Sequence, residues 1–385
     1  MGQKIYKRAL NPEIEVMKNS FFLFGPRGVG KSHLLRKVAE KKTSYYVNLL
    51  DSSLYYRLQR QPSLLKEMID LESPEVVVID EIQRIPELLN LVHLMIEEKG
   101  YHFILTGSSA RKLKRGHANM LAGRALSREL FPLTYFEIDD FSLKKYLQFG
   151  GLPLAYLSED PQDFLNSYVN TYMKEEVQAE GLVKKLPAFS DFLSMASVAS
   201  GEQINFTSIS NEVGVSAITI KEYYSILEDT LLGFFVNPWL KSKKRKPIST
   251  AKFFFFDTGV RNTLADIKTL DEKSNIWGQA FEQFIAKELR AYISYRHKNK
   301  MKLCYWRSTS QFEVDFIVGD NVAIEVKSTE HVQRVHVKGL RALQEENIVK
   351  NFYLVSADTL DRKVDFIHCL NWQTFLKKLW AGEII

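Results

Sequence analysis

The sequence predicts an α/β fold in three parts, and three stretches carry that prediction. At "FFLFGPRGVGKSHLLRKVAE" an apolar strand, Phe21 to Phe24, runs into a glycine-rich turn and then a helical pattern ending near Glu40. "PEVVVIDEIQ" holds a continuous apolar run, Val76 to Ile79, of the kind buried on both faces of a parallel sheet. "QFEVDFIVGDNVAIEVKST", Gln311 to Thr329, alternates with period two about a Gly-Asp-Asn turn and reads as a hairpin. A chain of 385 residues has room for two or three domains with separate cores. The expected division is a parallel-sheet core over 1–140, a helical and winged-helix segment over 141–250, and a second α/β domain over 251–385.

Composition narrows the classes. A net charge of +6 permits a nucleic-acid partner without demanding one. The two cysteines, Cys304 and Cys369, are too few for a disulfide framework or a four-ligand zinc site, so a reducing compartment is expected. "MGQKIYKRALNPEIEV" has no apolar core of signal-peptide length, and no later run is long enough to span a bilayer. The expectation is a cytoplasmic protein with no membrane partner.

Gly25, Pro26, Arg27, Gly28, Val29, Gly30, Lys31 and Ser32 have P-loop spacing between a strand and a helix. The glycines let backbone N–H groups wrap a phosphate, and the helix N-terminus adds positive potential. Lys31 would reach the β/γ oxygens and Ser32 would ligate Mg²⁺, so the expected cofactors are ATP and Mg²⁺. Asp80 and Glu81, at the carboxyl end of the Val76 strand, complete the set: Asp80 holds Mg²⁺ through water and Glu81 polarises the attacking water. On its own such a pair also fits a helix cap or solvated turn. A second buried strand, Tyr101 to Leu105, ends in Thr106-Gly107-Ser108-Ser109, where Ser108 is placed to sense the γ-phosphate and Ser109 reads equally as an ordinary cap.

Strand, P-loop, acidic strand end and polar strand end, in that order, resemble an AAA+ ATPase core covering about Ser20 to Glu137. "MLAGRALSRELFPLTYFEI" looks like the prokaryotic branch of that family with STAND-like relatives. The resemblance implies that Arg124 meets the γ-phosphate, in this subunit or a neighbour's. Arg124 also lies in a basic stretch with Arg111, Lys112, Lys114, Arg115 and Arg128, which reads as solvated surface.

From Phe149 onward the spacing turns helical, with Phe164, Leu165, Tyr168, Val169 and Tyr172 on one face. "NFTSISNEVGVSAITIKEYYSILEDTLLGFFVNPW" gives a helix, a turn at Gly214, a cap at Ser216, a second helix to about Asp229 and a strand, Leu231 to Val236: helix-turn-helix with a wing. The second helix offers Lys221 against Glu222, Glu228 and Asp229, so a lid or interdomain role is favoured over groove reading. The cluster Lys241, Lys243, Lys244, Arg245, Lys246 is expected in a flexible wing or loop, suited to nucleic acid or simply solvated.

With Gly319, Asp320 and Asn321 as the turn, Val318 faces Val322, Asp315 lies opposite Glu325 and Glu313 opposite Lys327. The other face, Phe312, Val314, Phe316, Val318, Val322, Ile324 and Val326, is apolar throughout. Facing carboxylates destabilise a sheet unless a positive group lies between them, and a divalent cation fits; a Glu325–Lys327 ion pair is the alternative. Upstream, "IWGQAFEQFIAKELRAYISYRH" is an amphipathic helix bearing Glu282 and Glu288 on or beside its apolar face of Trp277, Phe281, Phe284, Ile285, Leu289 and Tyr292. A helix carboxylate, then Asp315, then Glu325-Val326-Lys327 resembles the PD-(D/E)xK restriction-endonuclease-like family, although Val314 stands where the name motif has proline. That resemblance implies Asp315 and Glu325 as ligands of Mg²⁺ or Mn²⁺, Glu282 as an auxiliary acid and Lys327 as the group that positions or deprotonates water. The order of all three parts, including "FFFFDTGVRN", resembles a widespread prokaryotic AAA+ family whose C-terminal part is a domain of unknown function. It implies an ATPase acting on nucleic acid through a nuclease-like domain, or a nucleotide-dependent switch whose C-terminal domain only binds nucleic acid or a protein partner, with oligomers possible.

Overall fold

The computed structural model describes residues 6–10, 14, 19–40, 43–109, 125–173, 186–297 and 301–385. The first part contains β1 (Ser20–Phe24), α1 (Lys31–Ala39), β2 (Ser44–Asn48), α2 (Ser52–Arg60), α3 (Leu64–Glu72), β3 (Val76–Asp80), α4 (Leu88–Lys99), β4 (His102–Gly107) and β5 (Ala125–Glu129). Its strands form one parallel sheet in the order β2-β3-β4-β1-β5. Alternate residues serve opposite faces: Phe21, Leu23, Val76 and Val78 enter one core, Phe22, Val77, Ile79 and Leu105 the other. Burial on both faces explains the unbroken apolar runs. All five strands point the same way, so the P-loop after β1, Asp80 at the end of β3 and Thr106 in β4 share one edge of the sheet.

The middle part is helical: α5 (Leu143–Phe149), α6 (Pro153–Leu157), α7 (Pro161–Ser167), a wider turn over Tyr168–Met173, α8 (Leu186–Val198), α9 (Phe206–Val213) and α10 (Ala217–Asp229). Gly214 ends α9 at φ +71°, and the Ser216 side chain accepts from the Thr219 N–H to start α10. The antiparallel strands β6 (Gly233–Pro238) and β7 (Lys252–Phe255) follow.

That pair belongs to a larger sheet. After α11 (Thr258–Leu264) and the 23-residue α12 (Asn275–His297) come β8 (Leu303–Arg307), β9 (Glu313–Val318), β10 (Val322–Lys327), α13 (Lys338–Gln344), β11 (Asn351–Ser356), β12 (Arg362–Val364), β13 (Ile367–Asn371) and α14 (Trp372–Ala381). The second, mixed sheet has eight strands in the order β12-β13-β11-β10-β9-β8-β6-β7, with β6 beside β8 through Asn237↔Cys304 and Pro238↔Tyr305. α12 packs on one face and also reaches the first sheet, where Arg290 pairs with Glu129 at 2.9 Å. Glu288, fully buried, accepts from the Tyr135 N–H and from Trp380 Nε1, each at 2.9 Å, and Lys287 Nζ lies 2.6 Å away.

Two expectations need correcting. The basic loop between β6 and β7 is bound rather than flexible: the backbone N–H groups of Lys243, Lys244 and Arg245 donate to the Glu346 carboxylate at 2.7, 2.8 and 3.0 Å. Arg245 also reaches the Ala342 carbonyl and Glu345, and Lys241 pairs with Asp320. The second concerns β9. Val318↔Val322 and Ile317↔Ala323 pair as a three-residue turn requires, but the β8–β9 register shifts by one residue between Leu303↔Val318 and Trp306↔Val314. This bulge sends Val314 into the cluster of Ile317 and Trp306, away from Phe316 and Val318, so the hairpin has no single apolar face. The ladder does not continue to Glu313 opposite Lys327; Glu313 pairs across to Arg307 on β8.

Candidate functional site

Gly28 and Gly30 take φ of +82° and +93°, a region open to glycine, and a Cβ on Gly28 would stand 3.4 Å from the Tyr168 ring. The Tyr168 hydroxyl donates to the Arg27 carbonyl at 2.9 Å, tying the loop to the middle part. Lys31 is buried, with Nζ 2.7 Å from the Gly25 carbonyl and 3.2 Å from that of Pro26. Val29 is fully buried, and Ser32 faces a cavity of about 360 Å³ lined also by Lys31, Glu81 and the apolar Leu133, Pro153, Leu154 and Leu157. One wall of this cavity is therefore the glycine-rich loop and the other is apolar.

Opposite the loop, Asp80 is held at both oxygens, by the Tyr46 hydroxyl at 2.6 Å and by the Thr106 hydroxyl. Burial, then the hydrogen bond to Asp80, pushes the Tyr46 phenol well above its ordinary value, so it remains a donor. Thr106 Oγ1 also accepts from the Glu81 N–H at 2.9 Å. Glu81 sits in the left-handed region at φ +61°, and its Oε2 accepts from Gln83 Nε2 and from Ser108 Oγ at 3.2 Å. Asp80, Glu81 and Ser108 are thus brought together at one sheet edge. Arg124 lies outside the described residues.

Arg8, Tyr46 and Gln83 were missed by sequence reasoning. Arg8 is buried and donates Nε to Glu137 at 3.0 Å, Nη1 to the Val29 carbonyl at 2.6 Å and Nη2 to the Phe131 carbonyl at 2.5 Å. It ties the P-loop to the segment that follows β5. Nothing local in "YKRALN" signals this, whereas Gln83 stands within the acidic motif itself.

At the second site, Asp315 and Glu325 are buried side by side at the centre of the large sheet. Asp315 Oδ2 accepts from the Val326 N–H at 2.8 Å. Lys327 Nζ lies 2.7 Å from Glu325 Oε1 and 3.7 Å from Asp315 Oδ2. Glu325 Oε2 is buried with no hydrogen-bond partner. Burial, then repulsion from Asp315, pushes the Glu325 carboxyl up to about 8. The attraction of Asp315 and Glu325 outweighs burial at Lys327 and raises it. Glu282 projects from α12 toward the same cluster, and its Oε1 lies 3.1 Å from Nζ of Lys252, a buried lysine that also holds Glu313 at 2.8 Å. Burial pushes the Glu282 carboxyl up to about 7 against the opposing pull of Lys252. Among the described residues no three His, Cys, Asp or Glu side chains gather around one point as a ready metal cage. Lys252 was also missed; a lone cation heading the "FFFF" run was the available signal, since a buried lysine requires an acid.

Elsewhere, Lys221 stacks over the Phe206 ring at 5.3 Å, while Lys243, Lys244 and Lys246 are exposed. Cys304 and Cys369 are free thiols. No described helix is long and apolar enough to cross a membrane.

Three family models match successive stretches of the chain. Residues 17–139 match the family model described as an AAA domain; residues 140–271 and 277–375 match two domains of unknown function (DUF8612 and DUF4143). The chain is 22% identical over 408 residues to an uncharacterized protein of Methanocaldococcus jannaschii, covering 94% of this chain and 89% of that protein. It is 22% identical over 269 residues to an uncharacterized protein of Haemophilus influenzae, covering 62% of this chain and 67% of that one. Among solved structures it is similar to a Walker-type ATPase of Pyrococcus abyssi, with 15% identity, 68% of this chain, 96% of that chain and a TM-score of 0.47. It is also similar to the Aeropyrum pernix ORC1 protein in complex with DNA, with 12% identity, 69% and 94% coverage and a TM-score of 0.30. With its P-loop following the carboxyl end of β1 in a parallel sheet, the N-terminal third of the chain has a P-loop core and is similar to the AAA domain model.

Proposed function

We propose that this protein binds MgATP in the cavity between the P-loop and α6 and hydrolyses it. The observation that carries this reading is the convergence of Lys31, Asp80, Glu81 and Ser108 on one sheet edge, facing the glycine-rich turn. Lys31 exchanges the Gly25 and Pro26 carbonyls for β/γ oxygens, and the N–H groups of the turn cradle the phosphates. Ser32 and Asp80 fit a Mg²⁺ site: Ser32 opens on the cavity, and Asp80 is a carboxylate oriented by two hydroxyl donors. Bound Mg²⁺ would neutralise charge developing on the β and γ oxygens. Glu81 accepts from Gln83 and Ser108, which fix its carboxylate to orient the attacking water. An arginine such as Arg124 supplies the remaining positive charge, from this subunit or another. The test is ATP turnover by the purified chain with Mg²⁺, compared with Lys31→Ala; equal turnover in the two would refute the reading.

For the C-terminal part we infer a metal-dependent phosphodiester hydrolase site on nucleic acid. Its support is the order α12, β8, β9, β10, α13, β11 with Asp315, Glu325 and Lys327 at the sheet centre, and the partnerless buried Glu325 Oε2. An orphaned carboxylate oxygen beside a second carboxylate fits a hard, oxygen-preferring cation such as Mg²⁺ or Mn²⁺. Such a cation would stabilise charge on a scissile phosphate. Lys327 positions the attacking water, and exposed Lys243, Lys244 and Lys246 offer the backbone a basic border. The 2.7 Å Lys327–Glu325 pair favours the second reading, a nucleotide-dependent switch whose C-terminal domain binds nucleic acid or a protein without cleaving. Mn²⁺-dependent cleavage of DNA or RNA that is lost in Asp315→Asn supports the hydrolase; binding without cleavage supports the switch.

A further inference from the structure

Lys252 occupies a position that the proposed chemistry does not use. It heads β7, only 4% exposed, with Nζ 3.1 Å from Glu282 Oε1 and 2.8 Å from Glu313 Oε1. Glu313 lies two residues before Asp315 on β9, so its contact ties the ammonium to the strand that carries one of the paired carboxylates, and Asp315 acts electrostatically on both Lys252 and Glu282. A cavity of about 520 Å³, bordered by Gln203, Arg307, Lys252, Glu282 and Glu313, opens this side of the cluster. On the far side, Glu325 Oε2 remains buried and unpartnered. The cluster therefore holds one carboxylate oxygen lacking a partner and one carboxylate, Glu282, already engaged by an internal cation.

We propose that Lys252 is a resident cation that competes with a divalent metal for Glu282, keeping Glu282 out of the C-terminal site formed by Asp315 and Glu325. The proposal rests on the reading of that pair as a cation site. A lysine cannot leave by diffusion, so its effective concentration at Glu282 exceeds that of any free cation. A metal ion recruits Glu282 only by displacing the Lys252 ammonium from it. Glu313 and the Tyr305 ring, 5.3 Å from Nζ, then remain to hold the displaced ammonium.

The experiment is a Mn²⁺ titration of the nucleotide-free full chain, followed by the electron paramagnetic resonance signal of free Mn²⁺. Lys252→Met should tighten the Asp315-dependent binding by about tenfold or more, because it removes a unit positive charge beside the site. Adding Glu282→Gln to that variant should abolish the gain. Lys252→Gln, which keeps a hydrogen-bond donor without the charge, should move affinity in the same direction; circular dichroism melting identifies which variants are folded. If the wild type binds Mn²⁺ through Asp315 and a folded Lys252 variant binds no tighter, the resident-cation proposal is overturned and the metal site stands. If neither chain shows Asp315-dependent Mn²⁺ binding, the metal site falls and the proposal falls with it.

Discussion

Lys31 and Glu81 act on different quantities in the proposed ATPase reaction, so their variants separate. Lys31→Ala removes the cation from the phosphate cradle, and ATP affinity measured by calorimetry should fall by about a hundredfold, the scale of a lost charge-assisted contact. Glu81→Gln leaves the cradle intact and should retain ATP affinity while slowing turnover by about a hundredfold or more. Turnover unchanged in Glu81→Gln would remove its water-polarising role. Asp80 and Glu81 were legible in the sequence because they end an apolar strand that follows a P-loop, where an acidic pair has a partner to serve. Arg8 and Lys252 were not, since their carboxylate partners Glu137 and Glu282 lie 129 and 30 positions away. Contacts at those separations exist only once the sheets have formed.

At the level of elements, the β6–β7 loop depends on a single side chain. Glu346, 6% exposed, accepts three consecutive backbone N–H groups, which leaves "KSKKRK" with a defined backbone. Glu346→Ala strips all three of their acceptor and should lower stability in urea melts by about 1–3 kcal/mol; a change near zero would show that water replaces the carboxylate without cost. Ser216→Ala at the start of α10 should cost about 1 kcal/mol in the same melts. The Ser216 cap was readable because capping is local in sequence. The β9 bulge was not: alternation in Phe312 to Val318 is equally regular with or without an extra residue, and only pairing with β8 reveals the shift.

Across the whole molecule, β6 covers the β8 edge of the large sheet, and β7 brings Lys252 to its acids. A truncated chain beginning at residue 256 loses both strands and leaves β8 as a bare edge. By size-exclusion chromatography it should run as aggregate, while a chain beginning at residue 186, which keeps α8 to α10 with both strands, should be markedly more soluble. Equal solubility would mean that β6 is dispensable to the sheet. In the P-loop sheet β1, β3 and β4 were legible because their apolar runs are unbroken, whereas β2, half-buried along most of its length, gave no such signal. The joining of β6 to β8 was hidden because β6 ends at Pro238 and β8 begins only at Leu303, and two residue pairs connect them.

That β6–β8 seam bears on how such a chain can be inherited. The family matches meet between residues 271 and 277, yet the eight-stranded sheet has β6 and β7 on one side of that line and its other six strands on the other. A recombination crossover there would give each descendant part of a sheet with an unmatched edge. The two segments are therefore expected to travel between genomes as one heritable unit.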